Sequence, residues 1–193
     1  MNQFYLLEGY DERSFCYAYK DTSVRGIQSA VCHSCGRTVS SWSFDGPHHL
    51  LLEGKHTFPD RLMFCGAGEP MLIVSATAAN VLEENNITGI GNREPIAATY
   101  IEQETPPYFL VQICGSISLD FKRMGLKKKN VCNHCGSFRW NRQRLYPLVP
   151  NVDTWDGSDL CRVSDIPGYI ICTKRFVKAV TDTGLTGFCF KAL

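Results

Sequence analysis

The sequence predicts an α+β fold, with a mixed or antiparallel sheet, few short helices and two pseudo-repeated halves. Three observations lead to this prediction. A Cys-x-x-Cys-Gly motif occurs twice, a strand-type run followed by a helical apolar stripe also occurs twice, and residues 105–121 alternate like a strand after two prolines. We expect residues 1–193 to form a single compact domain, with halves at about 1–104 and 105–193.

Composition narrows the class of protein. The chain is 44% hydrophobic and 20% charged, as is usual for a globular protein. It has no apolar run near the roughly 18 residues of a membrane span, and its N-terminus lacks the features of a signal peptide. We therefore expect a cytoplasmic protein that does not enter a membrane. In that compartment its ten cysteines are expected to be thiols or metal ligands rather than disulfides.

A strand–helix–strand pattern occupies residues 72–90 and recurs without a gap in residues 170–188. In both segments an apolar run precedes an N-cap residue, a helical stripe, a residue that tolerates left-handed backbone, and extended chain. The N-cap residues are Ser75 and Thr173, and the left-handed positions are Asn86 and Gly184. This pattern favours an internal duplication, although two unrelated strand–helix–strand units would produce it too.

The most specific motif is VCHSCG at residues 31–36, which returns as VCNHCG at residues 131–136. With ten cysteines, chance produces only about 0.04 of one Cys-x-x-Cys-Gly motif. Each such turn, here called a knuckle, presents two thiolates, whereas a structural zinc takes four in a tetrahedron. We predict one shared, structural zinc in a zinc-ribbon-like pairing of the knuckles. Its ligands are Cys32, Cys35, Cys132 and Cys135.

Other metal arrangements remain open at this stage. Iron also binds four thiolates, because sulfur ligands do not by themselves separate iron from zinc. A redox dithiol would explain one knuckle but not the second copy. The first knuckle could instead form a local site with two of three histidines, which would leave the second knuckle without partners. One shared metal and two separate metals are both possible. Those histidines are His48, His49 and His56, whereas His33 and His134 are expected to point outward.

Charge is concentrated in one segment. Residues 122–144 contain eight basic side chains and no acid, so the rest of the chain carries a formal charge of −7 within the overall +1. A solvated basic loop is one interpretation. The other is a phosphate-contacting patch, since Phe138 and Trp140 lie among the basic residues.

The sequence resembles the double-CXXCG-motif proteins, a family best known from myxobacteria. The resemblance covers nearly the whole chain and rests on VCHSCG, VCNHCG, PPYFLVQICG, LIVS…ITGI and GLTGFCF. Members of the family are identified as immunity proteins of contact-dependent or polymorphic toxin systems. The resemblance therefore implies a cytoplasmic inhibitor that binds a cognate protein toxin and is not an enzyme. The basic run KRMGLKKKN departs from the common pattern, which leaves the role of that segment open.

An immunity protein of this kind would cover the active site of its toxin. If the toxin acts on nucleic acid or nucleotides, its cleft is basic, and acidic side chains become candidate contacts. These candidates are Glu83, Glu84, Glu102, Glu104, Asp153, Asp156 and Asp159, with Glu94 and Asp165 beside them. A solvated acidic face is the alternative for each cluster. The alternative function is a zinc-ribbon nucleic-acid-binding protein that uses residues 122–144. A zinc-dependent enzyme is disfavoured, since four thiolates leave no position for water.

Overall fold

The structure, a computed structural model, describes residues 3–8, 16–20, 27–42, 48–54, 58–64, 72–100, 104–140, 147–166 and 168–193. Within these ranges the chain forms sixteen strands in mixed sheets and two nine-residue α-helices, which confirms the predicted α+β class. The first half contains β1 (Phe4–Glu8), β2 (Cys16–Lys20), β3 (Ile27–Val31), β4 (Thr38–Trp42), β5 (His48–Gly54), β6 (Arg61–Phe64), β7 (Leu72–Ser75), α1 (Ala76–Glu84) and β8 (Ile90–Tyr100). The second half contains β9 (Tyr108–Ile113), β10 (Gly115–Leu119), β11 (Lys128–Lys129), β12 (Arg139–Trp140), β13 (Pro150–Asn151), a 3₁₀ turn (Val152–Thr154), β14 (Leu160–Val163), β15 (Ile170–Thr173), α2 (Lys174–Asp182) and β16 (Cys189–Ala192).

Two six-stranded sheets have the same strand order. One runs β5-β2-β6-β7-β9-β8 and the other β13-β10-β14-β15-β1-β16, so that β1 to β8 correspond in order to β9 to β16. The pairing directions also match. β2 lies parallel to β6 and antiparallel to β5, just as β10 lies parallel to β14 and antiparallel to β13. This correspondence supports the hypothesis of an internal duplication.

The two sheets differ in the length of their corresponding strands. In the first, the seven-residue β5 and the eleven-residue β8 pair in parallel from His48 opposite Ile96 to Leu52 opposite Tyr100, and the sheet closes into a barrel. Their counterparts β13 and β16 have only two and four residues, and the second sheet stays open. Closure removes the strand edges of the first sheet.

The first strand of each half completes the sheet of the other half. β1 lies between β15 and β16 in the open sheet, whereas β9 lies between β7 and β8 in the barrel. The two sheets are therefore linked by exchanged strands as well as by the chain between them.

Both helices begin and end as the sequence predicts. The hydroxyl of Ser75 accepts a hydrogen bond from the amide of Ala78 at the start of α1, and Thr173 caps α2 in the same way. The chain leaves the helices through left-handed backbone, with φ of 51° at Asn86 and 70° at Gly184. These caps satisfy amide and carbonyl groups that a helix leaves unpaired at its ends.

The helices pack on each other over one face of both sheets, where the largest core cluster includes side chains from both halves. Leu82 and Val180 are each about 1% exposed, and Phe176 is fully buried. The opposite face of the barrel strands forms a second cluster around Tyr108, and the equivalent face of the open sheet forms a third around Ile117. Among the described residues, no helix is long and apolar enough to cross a membrane.

Candidate metal centre

Each knuckle is the turn of a short β-hairpin. The first joins β3 to β4, and the second joins β11 to β12. The amide of Gly36 donates to the carbonyl of Cys32 at 2.8 Å, and Gly136 donates to Cys132 at the same distance. Both glycines have positive φ, 67° and 70°, while a Cβ at either would meet nothing within 4 Å. Glycine is therefore favoured here by backbone conformation rather than by crowding.

The two knuckles, one hundred residues apart in sequence, face each other. Cys32 Sγ lies 3.9 Å from Cys132 Sγ, and Cys35 Sγ lies 3.7 Å from Cys135 Sγ. All four sulfur atoms lie within 4.8 Å of one another. Zinc–sulfur bonds of about 2.3 Å in a tetrahedron place the sulfurs about 3.8 Å apart. The four cysteines that the sequence indicated can thus hold a metal ion together.

The surroundings of the thiols join the two knuckles. Ser137 Oγ lies 3.0 Å from Cys135 Sγ and 3.7 Å from Cys35 Sγ. Arg37, which follows the first knuckle, donates to Ser137 Oγ at 3.1 Å and to the carbonyl of Asn130 at 2.9 Å. These contacts cross from one knuckle to the other without involving a metal. Arg37 and Ser137 each directly follow a knuckle, and no spacing rule in the sequence marks them.

The protonation of the thiols depends on burial and on nearby donors. Burial raises the pKa of Cys32 to about 11. Hydrogen bonds from the side chain and the amide of Ser137 lower the pKa of Cys135 to about 6, and the amide of Arg37 lowers the pKa of Cys35. Four thiolates this close repel one another, so a bound cation favours their joint ionisation and releases protons.

The histidines beside the thiols do not belong to the four-sulfur cluster. His33 and His134 are exposed and pack on each other, with ring centroids 4.1 Å apart. His49 Nε2 lies 2.8 Å from Thr99 Oγ1 on the barrel. His56 and the side chain of His48, which the alternative local site would use, lie outside the described part of the structure.

Most of the acidic candidates lie at the surface. The exposed ones are Glu83, Glu84, Glu104, Asp153 and Asp156. Glu83 forms an ion pair with Arg93 at 2.6 Å, and the carboxylate of Asp156 accepts from the amides of Ser116 and Ser158, both at 2.9 Å. Glu102 lies outside the described residues.

Asp159 has a different role from the other acidic candidates. It is 5% exposed, and its carboxylate accepts hydrogen bonds from Thr88, Thr173 and Arg175. A buried carboxylate with these partners is not available to another protein, so we remove Asp159 from the candidate contact set and assign it to the fold.

The basic segment is only partly a free surface. Its exposed described members are Lys122, Arg123, Lys127, Lys128, Lys129 and Arg139. Lys128 pairs with Asp165 at 2.6 Å, and its ammonium lies 4.8 Å and 4.5 Å from the ring centres of Phe121 and Phe138. The ring of Phe138 is thus occupied within the protein. Arg142, Arg144 and the side chain of Trp140 lie outside the described residues.

No protein-family model matches the chain, and a search of curated proteins finds no significant match. The function proposed below therefore rests on the sequence motifs, on the resemblance that they carry and on the geometry of the site.

Proposed function

We propose that this protein is an immunity protein that binds a cognate antibacterial toxin and covers its active site, without catalysing a reaction itself. We also propose that one structural zinc ion joins its two knuckles. The observation that carries the proposal is the set of four thiols, two from each half, at spacings suited to a tetrahedral metal. The resemblance to the double-CXXCG-motif family supplies the class of partner.

This donor set suits a structural zinc better than a catalytic one. Four thiolates fill a tetrahedron, so no open position remains for water or substrate. When bound, the ion would cross-link two hairpins that are distant in sequence, and Cys32, Cys35, Cys132 and Cys135 would hold it. Iron in the same site would colour the protein, because ferric tetrathiolate absorbs visible light. Metal analysis together with a visible spectrum separates the two metals.

Inhibition by occlusion needs a rigid surface with charge complementary to the toxin. The exchanged strands and the closed barrel support rigidity, and five exposed acidic side chains could face a basic cleft. Of these, Glu83 and Glu84 lie together at the end of α1. The test is co-expression with the protein encoded by the neighbouring gene. We expect the two proteins to co-purify and the cells to survive. A neighbouring product that neither binds nor harms cells would contradict the proposal.

The second candidate is nucleic-acid binding through the basic segment. The exposed lysines and arginines beside the second knuckle favour this candidate. The pairing of Lys128 with Asp165, however, reduces the positive charge that the basic segment could offer to phosphates. Binding of this kind weakens steeply with salt. A titration of labelled single-stranded and duplex DNA and RNA at 50 mM salt tests it, and the Lys127→Glu/Lys129→Glu variant is the matched control. Absence of binding at low salt excludes this candidate.

A further inference from the structure

A groove of about 350 Å³ opens between α1 and β8. Its floor is apolar, and the two most buried floor side chains, Leu82 and Val111, are 1% and 2% exposed. At its rim Arg93 meets Glu83. The remaining lining residues are Ala79, Asn86, Ile87, Ile90 and Gly91.

The equivalent position in the second half is filled by aromatic rings. There, Phe188 and Phe190 stack with ring centroids 6.4 Å apart, and each ring lies 6.0 Å from that of Phe176 on α2. Both rings are only partly buried and pack against the core that the two helices share. The fold therefore accepts two phenyl rings beside this helix.

The first ring position is identified by the turn that precedes it. Gly89 and Gly187 have nearly the same positive φ, 83° and 81°, and each lies in the bend between the helix of its half and the strand that follows. The next residue is Ile90 in the first half and Phe188 in the second. Ile90 therefore occupies in the first half the position that Phe188 occupies in the second, and its side chain is smaller.

The second ring position follows from strand register. Phe190 stands opposite Leu7 on β1, and Arg93 stands opposite Val111 on β9. Leu7 and Val111 are equivalent, because β1 and β9 pair with β15 and β7 in the same register. A register shift between Ile90 and Arg93 in β8 accounts for the additional residue. Arg93 thus occupies the position of Phe190.

Arg93 does not replace the missing ring. Its guanidinium reaches the rim and pairs with Glu83 at 2.6 Å, where the two side chains are 36% and 68% exposed. The floor below it stays open. The groove is therefore the space that two aromatic side chains fill in the second half.

We propose that this groove receives an aromatic side chain of the protein partner, in the place that Phe188 and Phe190 fill in the second half. The inference rests on the proposed function, in which that partner is the toxin. Buried aromatic anchors in well-packed pockets commonly carry most of the binding energy of an interface. A protein side chain suits the groove better than a small polar ligand, because the lining groups of the floor are apolar and the charged pair lies at the rim.

The groove can be tested without the toxin. The probe is N-acetyl-phenylalanine amide, titrated into the metal-loaded full-length protein and followed by ¹H–¹⁵N NMR, with N-acetyl-alanine amide as the control probe. We expect shifts of the Leu82, Ile87 and Val111 amides with the phenyl probe only. The Ile90→Phe/Arg93→Phe variant fills the groove as the second half does, and should keep the fold while losing these shifts. Absence of shifts in the wild type, or equal shifts in the filled variant, overturns the inference.

The same variant tests the groove in the complex. If the toxin co-purifies, we expect its Kd to rise at least tenfold for Ile90→Phe/Arg93→Phe and to change less than twofold for Arg123→Phe, which adds an exposed ring elsewhere. Equal binding by the filled variant overturns the proposed role of the groove and leaves the proposed function intact. If the wild type does not bind the toxin, the proposed function fails, and the phenyl probe alone decides whether the groove binds aromatic groups.

Discussion

Asp60 and Asp159 make the same set of hydrogen bonds in the two halves of the molecule. The carboxylate of Asp60 accepts from the N-cap hydroxyl of Ser75 at 2.7 Å and from the amide of Thr186 at 2.9 Å. The amide of Asp60 in turn donates to Thr186 Oγ1. Ser75 belongs to the same half as Asp60, whereas Thr186 belongs to the other.

Asp159 makes the equivalent bonds in the second half, with corresponding donors and acceptors. It accepts from the N-cap hydroxyl of Thr173 at 2.7 Å and from the amide of Thr88 at 3.0 Å, and its own amide donates to Thr88 Oγ1. Each carboxylate therefore joins the start of the helix in its own half to the segment that follows the helix in the other half. Arg175 adds an ion pair to Asp159 at 2.7 Å.

Asp60→Ala and Asp159→Ala are both expected to destabilise the fold, because each leaves several hydrogen-bond donors without their acceptor. We expect a loss of about 1–3 kcal/mol in the free energy of unfolding. The larger loss should occur for Asp159→Ala, which also leaves Arg175 without its carboxylate. Urea denaturation measures both. The control is Asp153→Ala at an exposed position, and losses no larger than in this variant would contradict the prediction.

Removal of one knuckle ligand should affect both halves, because the ligands come from both. We expect one zinc per chain in the wild type and almost none in Cys132→Ser, with lower hydrogen-exchange protection in β3, β4, β11 and β12. Elemental analysis and hydrogen exchange measure this. Cys114→Ser is the control, since Cys114 is exposed and lies outside the four-sulfur cluster. Two zinc ions per chain would indicate separate sites.

Gly89 and Gly187 are expected to tolerate no side chain. A Cβ at Gly89 would lie 2.1 Å from the carbonyl oxygen of Leu160, and one at Gly187 would lie 2.4 Å from that of Arg61. Gly157 has a similar φ of 88° but open space around it. Gly157→Ala should therefore cost only the backbone strain, roughly 1–2 kcal/mol. Thermal and urea unfolding should show clearly larger losses for Gly89→Ala and Gly187→Ala, and equal losses would mean that crowding is unimportant.

The exchange of β1 and β9 predicts that neither half folds alone. A chain divided between residues 104 and 105 should produce two fragments with little cooperative structure, because each sheet lacks one of its inner strands. Mixing the fragments with zinc should restore the native NMR spectrum, since all pairings then become available. Circular dichroism and NMR of the separate and mixed fragments measure this. Cooperative unfolding of the isolated second fragment would contradict the prediction.

Local features of this protein were predictable from the sequence. The four cysteines, the N-caps Ser75 and Thr173 and the left-handed position at Asn86 depend on the chemistry and spacing of neighbouring residues, and the structure contains all of them as expected. The α+β class followed from the same local patterns. The immunity function and the identity of the metal remain predictions.

The tertiary structure alone decided which residues meet. Strand-type runs do not specify their partners, so the exchange of β1 and β9 and the closure of only one sheet could not be read from periodicity. The acidic clusters looked alike in sequence, yet Asp159 is buried because its partners come from segments about seventy residues before it and fourteen residues after it. Long-range pairing also left a groove beside Ile90 where Phe188 fills the other half. Spacing along the chain determined which groups could bind a metal or cap a helix, whereas packing between distant segments determined which surfaces stayed open.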